Sequence, residues 1–333
     1  MKWNRSALCV LAVGATAGLV LTGCSSAGTP ATSTSTTSGA KTGAVKIAFV
    51  PGVIGDEFYV TMQCGIQEAA KAAGATVAMQ GPQKFDPTLQ KPVVDAVVAS
   101  KPDALLVAPT DVAAMQGPLK AAADAGIKVV LVDTTVNDPS FAVSQISSDN
   151  TGGGKAAFDA IAKLKPNGGK VLVISVDPGI STTDARVAGF KGAASANSKF
   201  TYLGVQYSHD DPATAAKLVT AALQKDPDIV GIFGTNLFSA EGSTGVRQAG
   251  KTGSVSIVGF DAGPAQVKDL QAGTVQALVA QQPATIGKDG VAQALAALSG
   301  KPTVAKIQTG FTIITKDNLT GEGAAAIYKS SCG

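Results

Sequence analysis

The sequence predicts an α/β fold with parallel sheets, and three observations lead to this prediction. Continuous apolar, β-branched runs recur along the chain, Ala-rich amphipathic stretches separate them, and glycines stand where such helices should end, at Gly74, Gly126 and Gly250. Continuous runs are typical of strands that are buried on both faces of a parallel sheet. The 333 residues suit two separate sheets better than one very wide sheet.

Strands and helices alternate along the body of the chain. The clearest strand predictions are Val45–Val50, Ala104–Ala108, Ile127–Val132, Val171–Ser175, Ile229–Phe233 and Val255–Phe260, and the weaker ones are Ala75–Met79, Thr201–Val205 and Thr274–Ala280. The helices predicted between them are Glu57–Ala73, Pro87–Ser100, Val112–Ala125, Gly153–Leu164, Thr183–Ala196, Pro212–Gln224, Ser239–Ala249 and Ala284–Leu298. This alternation indicates parallel sheets covered by helices.

The N-terminal residues have the pattern of an export signal. Two positive charges in residues 1–5 precede a 15-residue run without charge, Ala7–Leu21. The run is too short to predict a membrane-spanning helix, which needs about 20 residues. It ends in Leu21-Thr22-Gly23-Cys24, which resembles a bacterial lipoprotein cleavage box. We therefore expect residues 1–23 to be a signal peptide and Cys24 to be lipidated; the alternative is a secreted protein with a chance cysteine there.

Residues 24–43 are predicted to be the lipidated cysteine and a flexible linker. Residues 25–42 are nearly all Ser, Thr, Gly, Ala and Pro, a composition that cannot bury enough apolar surface to offset the entropy of ordering. A lipid anchor followed by a linker places the folded part outside the cytoplasmic membrane and close to its surface.

Four cysteines are present, and two of them fall in the folded part. Cys9 lies in the signal peptide and Cys24 in the cleavage box, which leaves Cys64 and Cys332. In an oxidising compartment this pair predicts one disulfide between the C-terminal tail and an early helix, and the alternative is two unpaired thiols. No C-x-x-C motif or Cys/His cluster is present, so we expect no structural metal.

Charge and composition argue against nucleic-acid binding and catalysis. Without Lys2 and Arg5 the mature chain has 25 cationic and 24 acidic residues, too even a balance for a nucleic-acid partner. The only histidine, His209, makes Ser-His-Asp catalysis or a His-rich metal site improbable. Residues 151–155, Thr-Gly-Gly-Gly-Lys, lack the Walker spacing, and no G-x-G-x-x-G run is present. We predict no enzyme and no cofactor.

Polar residues follow the predicted strands at the edge where open parallel sheets bind ligands. They are Asp56, Thr110-Asp111, Asp133-Thr134, Asp177, His209-Asp210, Asn236, Asp261 and Gln281-Gln282. A rim of carboxylates and amides beside the aromatics Phe58, Tyr59 and Phe238 suits a neutral ligand rich in hydroxyl groups. An aspartate after a strand also often caps the next helix, so each one alone has a second explanation.

Several segments together resemble the ribose/galactose-type (type I) substrate-binding proteins of bacterial ABC importers. These segments are Asp56-Glu57-Phe58-Tyr59, Ala108-Pro109-Thr110-Asp111, Ser148-Asp149-Asn150 with Gly153, Arg186-Val187-Ala188-Gly189-Phe190, Phe233-Gly234-Thr235-Asn236, Val258-Gly259-Phe260-Asp261 and Ala280-Gln281-Gln282-Pro283. The resemblance implies two Rossmann-like lobes joined by a three-segment hinge, with the ligand between them. It divides the chain into an N-terminal lobe (44–147 plus 282–310) and a C-terminal lobe (148–281 plus 311–333).

Carried over by position, the resemblance gives each rim residue a role. Asp133 and Asp261 would bind hydroxyls from opposite lobes. Phe58 and Tyr59 would stack on a sugar ring. The other implied contacts are Asp56, Arg186, Asn236 and Gln281. Arg186 has an alternative role in a structural ion pair.

Two positions depart from the ribose-binding pattern. Thr134 stands where an arginine commonly follows the first-lobe aspartate, and Asp56 replaces a frequent asparagine. Because these changes make the cleft more acidic, they favour a neutral sugar other than ribose, a polyol or an amino sugar, and we keep Thr134 among the expected contacts.

The resemblance also implies the partners. We expect a monomer that is anchored to the cell membrane through its lipid and delivers a sugar or polyol to the permease subunits of an ABC transporter, with no nucleic-acid partner. The alternative is a lipoprotein that senses a small signal, such as a furanosyl autoinducer, in the same cleft. A sugar-responsive repressor would need an N-terminal helix-turn-helix, where this chain has an export signal.

Overall fold

Two six-stranded sheets, each with helices on its faces, make up the part of the chain that the structure describes. The structure is a computed structural model, and it describes residues 43–332. The residues predicted to form the signal peptide, the lipidated Cys24 and the linker up to residue 42 lie outside the described residues. Among residues 43–332, no helix combines the length and the apolar character that crossing a membrane requires.

The first lobe contains the strands and helices that come first along the chain, together with one helix and one strand that follow much later. They are β1 (Lys46–Val50), α1 (Glu57–Ala72), β2 (Thr76–Met79), α2 (Pro87–Ala99), β3 (Ala104–Val107), α3 (Gln116–Asp124), β4 (Lys128–Val132) and β5 (Ser144–Ser148), and later α10 (Pro283–Leu298) and β11 (Lys306–Thr309). The strand order is β11-β5-β4-β3-β1-β2, and every neighbouring pair is parallel.

The second lobe is formed by the middle of the chain and one late strand. Its parts are α4 (Asn150–Leu164), β6 (Gly169–Ser175), α5 (Ser181–Ala196), β7 (Phe200–Tyr207), α6 (Pro212–Lys225), β8 (Ile229–Gly234), α7 (Leu237–Ala240), α8 (Ser243–Gln248), β9 (Ser256–Phe260), α9 (Pro264–Ala272), β10 (Ala277–Ala280) and β12 (Thr312–Ile314). The strand order is β12-β10-β9-β8-β6-β7, with only β12 antiparallel to its neighbour.

The described chain passes between the lobes at three places, and its C-terminal segment adds a fourth link. The crossings lie between β5 and α4, between β10 and α10, and between β11 and β12. After β12 the chain forms a short 3₁₀ helix, Glu322–Ala326, and Cys332 then forms a disulfide with Cys64 of α1. This segment therefore begins on the second lobe and ends on the first.

The apolar runs became buried strands because both faces of each sheet are covered. All four residues of β3 and all five of β9 are buried. Separate apolar clusters cover the outer face of each sheet, one around Val107 and Leu131 and one around Phe190 and Phe233. The strand ends are thereby held firmly at one edge of each sheet.

Several helix and strand predictions need correction. The predicted helix Ser239–Ala249 is two short helices, α7 and α8, with Gly242 between them. Helix α4 begins at Asn150, earlier than predicted, because the Asp149 carboxylate accepts a hydrogen bond from the Gly152 N–H (2.9 Å) and caps it. Strands β5, β11 and β12 and helix α9 were not predicted.

Glycines allow α4 and α5 to cross at close range in the second lobe. A Cβ atom on Gly189 of α5 would overlap the Thr151 carbonyl oxygen of α4. We predict that Gly189→Ala lowers the free energy of unfolding by about 1–3 kcal/mol in urea denaturation, because backbone cannot move aside as a flexible side chain does. Gly192→Ala on the same helix is the control: its Cβ meets no atom within 4 Å, and it should stabilise by up to about 1 kcal/mol. Equal effects of the two variants would contradict this packing.

Candidate ligand-binding site

A cleft of about 410 Å³ lies between the carboxyl ends of the two sheets and is lined by both lobes. Its polar and aromatic lining residues are Asp56, Phe58, Tyr59, Phe85, Asp133, Thr182, Thr183, Arg186, Asp210, Asn236, Asp261 and Gln281. The structure therefore brings together every residue predicted to contact ligand except Thr134.

Asp133 and Asp261 occupy matching positions in the two lobes. Asp133 directly follows β4 and Asp261 directly follows β9. Both have left-handed backbones, with φ of 63° and 78°, a conformation that aspartate adopts more readily than most residues. In each case the N–H donates to a carbonyl of the neighbouring strand, Ile146 at 2.8 Å and Val279 at 2.9 Å. The two sheets thus direct one carboxylate each into the cleft.

Asp133 has one carboxylate oxygen engaged and one without a partner. The Tyr59 hydroxyl donates to its Oδ2 atom at 2.8 Å. Its Oδ1 atom is buried and has no hydrogen-bond partner among residues 43–332. Burial raises the pKa of Asp133 to about 6, while the nearby Arg186 charge opposes this shift. A ligand hydroxyl that donates to Oδ1 would remove the cost of leaving a buried oxygen unpaired.

Asp261 is held by two donors from the hinge side of the cleft. Its Oδ1 atom accepts from the Gln281 side-chain amide at 2.7 Å and from the Tyr328 hydroxyl at 3.0 Å. The Gln281 carbonyl oxygen accepts in turn from the Ser148 hydroxyl at 2.7 Å. Burial raises the pKa of Asp261, against the opposing effect of Arg186 and these hydrogen bonds. Gln281 therefore lines the cleft with both ends of its amide already engaged, and it orients Asp261.

Arg186 is the cation of the cleft and is held rigidly. It projects from α5, donates from Nε to Asn150 Oδ1 and from Nη1 to the Thr235 carbonyl, both at 2.8 Å, and lies over the Phe260 ring at 3.8 Å. These contacts leave Nη2 without a hydrogen-bond partner in the described part of the chain. Arg186 forms no ion pair there, so its alternative role as a structural ion-pair partner is not seen. The Nη2 group is available to a ligand oxygen.

Asp210 joins the cleft although the sequence did not single it out as a contact. It has a left-handed backbone (φ 56°), and its Oδ1 atom accepts from the Asn236 side-chain amide at 2.7 Å. The Asn236 carbonyl oxygen caps α7 by accepting from the Ser239 N–H at 2.9 Å. Burial raises the pKa of Asp210 to about 6, opposed by the Asn236 hydrogen bond. Asp210 and Asn236 both line the cleft, and the hydrogen bond from Asn236 holds the Asp210 carboxylate there.

Asp56 serves the cleft and a helix end at the same time. Its carboxylate accepts from the Phe58 N–H at 2.7 Å and caps α1, which is the second explanation that the sequence offered. Burial raises the pKa of Asp56 well above its usual value, and the charges of Asp261 and Asp210 raise it further. Asp56 therefore both caps α1 and lines the cleft.

Thr134 and His209 belong to the predicted rim but are not among the residues that line the cleft. The Thr134 hydroxyl donates to the Pro109 carbonyl at 2.6 Å, and its side chain does not line the cleft. The contact between Thr134 and ligand stays a prediction, and Thr134 lines a neighbouring cavity together with Asp133. His209 is exposed and contacts Asp177 at 2.6 Å near the cleft mouth. Within residues 43–332 no cluster of three or more metal-ligating side chains is found.

Because the pKa of Asp210 is raised, we predict that this residue lowers the free energy of unfolding of the ligand-free protein as the pH rises. A carboxyl whose folded-state pKa is raised stabilises the fold fully below its unfolded pKa of about 3.8, and this contribution is lost as pH rises through about 6. Asp210→Asn should therefore raise the free energy of unfolding by about 1–3 kcal/mol at about pH 8, and the gain should shrink toward about pH 4. Urea denaturation across this range measures it. A pH-independent gain would show that the charge of Asp210 is not the cause.

The chain and its fold have counterparts among known proteins. The family model described as "Periplasmic binding protein domain" matches residues 47–302. The ribose import binding protein of Escherichia coli is 31% identical over 270 residues, 81% of this chain and 90% of its own length. The D-allose-binding periplasmic protein of the same organism is 30% identical over 257 residues, 74% of this chain and 83% of its own.

A solved structure gives a stronger match. The ABC transporter solute-binding protein from Agrobacterium vitis, bound with α-D-tagatopyranose, is 43% identical and superposes with a TM-score of 0.84, covering 86% of this chain and 99% of its own. The family match covers more than half of the chain and includes strands of both lobes. The chain belongs to the periplasmic binding protein domain family.

Proposed function

We propose that this protein captures a neutral sugar or polyol between its two lobes and delivers it to a membrane-bound ABC importer. One observation carries the proposal: Asp133, which lines the cleft, has a buried carboxylate oxygen without a hydrogen-bond partner among residues 43–332, and Asp261 lines the cleft from the other lobe. A molecule that carries hydroxyl groups on both sides can donate to both lobes at once. Its binding would then favour the closed arrangement by contacts that neither lobe supplies alone.

The charges and rings of the cleft support a sugar over an anion. Four carboxylates face one guanidinium, so a phosphate or carboxylate ligand would meet net repulsion. Phe58 and Tyr59 line the same space and can cover the apolar C–H face of a ring. The named relatives bind ribose, allose and tagatose, all polyhydroxylated and uncharged. The carboxylates, amides and aromatic rings of this cleft suit binding and release of a sugar better than catalysis.

The location and partners form the second part of the proposal. The Leu21-Thr22-Gly23-Cys24 sequence supports lipidation at Cys24, and the linker that follows would let the lobes reach the permease subunits of the importer as a monomer. A Cys24→Ala variant tests the anchor: it should move from the membrane fraction of the producing cells to the soluble extracytoplasmic fraction, and retention in the membrane fraction would contradict lipidation at this residue.

A thermal-shift and calorimetric screen tests ligand capture. The protein from Gly43 onward is mixed with D-tagatose, D-ribose, D-allose, ribitol and D-galactosamine, with D-ribose 5-phosphate as the anionic control. Because a ligand that binds only the native state stabilises it, a hundred-fold excess over Kd should add about 2.7 kcal/mol and raise the melting temperature. We expect at least one of the four uncharged compounds to do so; D-galactosamine, whose amine is protonated near neutral pH, is the cationic comparison. Stabilisation by the charged compounds alone, or by none of the six, would overturn the proposal.

A further inference from the structure

The C-terminal segment, residues 315–332, reaches the cleft through Tyr328. The Tyr328 hydroxyl donates to Asp261 Oδ1 at 3.0 Å and accepts from the Gln281 backbone N–H at 2.8 Å. Its own N–H donates to the Ala262 carbonyl at 3.0 Å. Tyr328 is buried, and its ring lies 6.0 Å from the Phe58 ring. These contacts place a fixed hydrogen-bond donor behind the second-lobe carboxylate.

The same segment is attached to the first lobe just beyond Tyr328. The Lys329 N–H donates to the Thr61 hydroxyl at 2.7 Å, and Cys332 is bonded to Cys64 one turn further along α1. The Cys64–Cys332 bond joins residues 268 apart in sequence. Segment 315–332 therefore spans both lobes beside the hinge, with Tyr328 four residues before the covalent bond at Cys332.

In each lobe a tyrosine hydroxyl donates a hydrogen bond to the aspartate of the cleft, but the two tyrosines lie in different kinds of structure. In the first lobe Asp133 is held by the Tyr59 hydroxyl, and Tyr59 belongs to a long helix. In the second lobe Asp261 is held by the Tyr328 hydroxyl, and Tyr328 lies in the irregular residues 327–332 that follow the short 3₁₀ helix. An irregular segment holds a side chain in place only if its ends are fixed. The disulfide supplies such a fixed end.

We propose that segment 315–332 is part of the binding machinery, in which Tyr328 positions Asp261 for ligand and the Cys64–Cys332 disulfide holds Tyr328 in place. This inference rests on the proposed function, since it assigns Asp261 to ligand. Tyr328 acts through Asp261 and is a positioning residue. It is absent from the set that lines the cleft, so it orients the carboxylate from behind.

Removing only the Tyr328 hydroxyl tests whether it positions Asp261 while the packing of the ring stays the same. Tyr328→Phe keeps the ring against Phe58 and keeps the disulfide, and Tyr202→Phe in β7 is the matched control outside the cleft. Calorimetry first identifies which compound binds the unaltered protein most tightly among D-tagatose, D-ribose, D-allose, ribitol and D-galactosamine. That compound should bind Tyr328→Phe about ten-fold more weakly. Tyr202→Phe should leave its affinity unchanged.

A titration that needs no sugar tests the same inference independently of the proposed function. The pKa of Asp261 is followed by carboxyl ¹³C NMR in the unaltered protein, in Tyr328→Phe and in the double variant Cys64→Ser, Cys332→Ser. The charged groups that face Asp261 are Arg186 and the carboxyls of Asp56, Asp133 and Asp210, and they are common to all three proteins. Because the tyrosine hydrogen bond lowers the pKa of Asp261, both variants should raise it.

The outcomes are distinct. An unchanged Asp261 titration in Tyr328→Phe overturns the positioning role, whether or not any sugar binds. A shift in Tyr328→Phe with none in the double cysteine variant overturns the role of the disulfide. Failure of every sugar to bind, with both shifts present, counts against the proposed function and leaves the positioning of Asp261 by segment 315–332 supported.

Discussion

Asp133→Asn should weaken sugar binding about a hundred-fold while making the ligand-free protein more stable. The variant replaces a charged acceptor with a neutral amide, and a hydrogen bond to a charged group contributes about 1.5–3 kcal/mol. Asparagine tolerates the left-handed backbone at this position as well as aspartate does, so the turn after β4 should persist. Removing a buried charge that burial disfavours should raise the free energy of unfolding at about pH 8.

The opposite directions of these two effects make the result diagnostic. Calorimetry with the tightest-binding sugar gives the affinity, and urea denaturation at the same pH gives the stability. Asp124→Asn is the control, because Asp124 lies on the exposed face of α3 in an ion pair with Lys120. Loss of binding together with loss of stability would show instead that Asp133 mainly maintains the fold.

Arg186→Met should have the largest effect on stability. The change leaves the Asn150 side chain and the Thr235 carbonyl without their donor and removes the positive charge near Asp133 and Asp261. Each buried acceptor left without its donor costs about 1–3 kcal/mol, and the two carboxyls also lose a stabilising charge. The loss in free energy of unfolding should be greater at about pH 8 than at about pH 5, because the carboxyls are charged at the higher pH. Sugar binding should be lost as well.

Arg247→Met provides a matched comparison with the same change of side chain. Arg247 is partly exposed and pairs with Asp269 at 3.3 Å, a geometry that contributes about 0–1 kcal/mol. Urea denaturation of both variants at the two pH values separates the roles. Equal losses in the two variants, or a loss in Arg186→Met that is the same at both pH values, would contradict an electrostatic role for Arg186.

The parts of the fold that sequence reasoning predicted are those with strong local patterns. Strands such as β3 and β4 are continuous apolar runs, and they are buried on both faces as that pattern predicts. Strand β5, Ser-Gln-Ile-Ser-Ser, was missed because only Ile146 among its residues is apolar. It is held in the sheet by parallel pairing with β4 and with the distant β11, which no local pattern reveals.

The same distinction applies to the cleft. Asp133 and Asp261 were predicted because each follows a clearly recognised strand directly. Asp210 follows β7, which was predicted to end at Val205 and extends to Tyr207, so the position of Asp210 relative to the sheet edge was less apparent. Tyr328 follows no strand at all, and only the three-dimensional path of the C-terminal segment brings it to Asp261. Cys332, four residues after Tyr328, was the one signal in the sequence that pointed to this segment.

The late position of α10 and β11 in the chain has a consequence for biosynthesis. Helix α10 packs closely on α1, where Gly65 leaves no room for a Cβ beside the Ala284 backbone, and β11 completes the first sheet beside β5. Neither is available until all of the second lobe except β12 has been made. A nascent first lobe therefore carries an unpaired strand edge and an uncovered apolar face while translation and export continue. The lobe made first should thus be the one that depends most on chaperones.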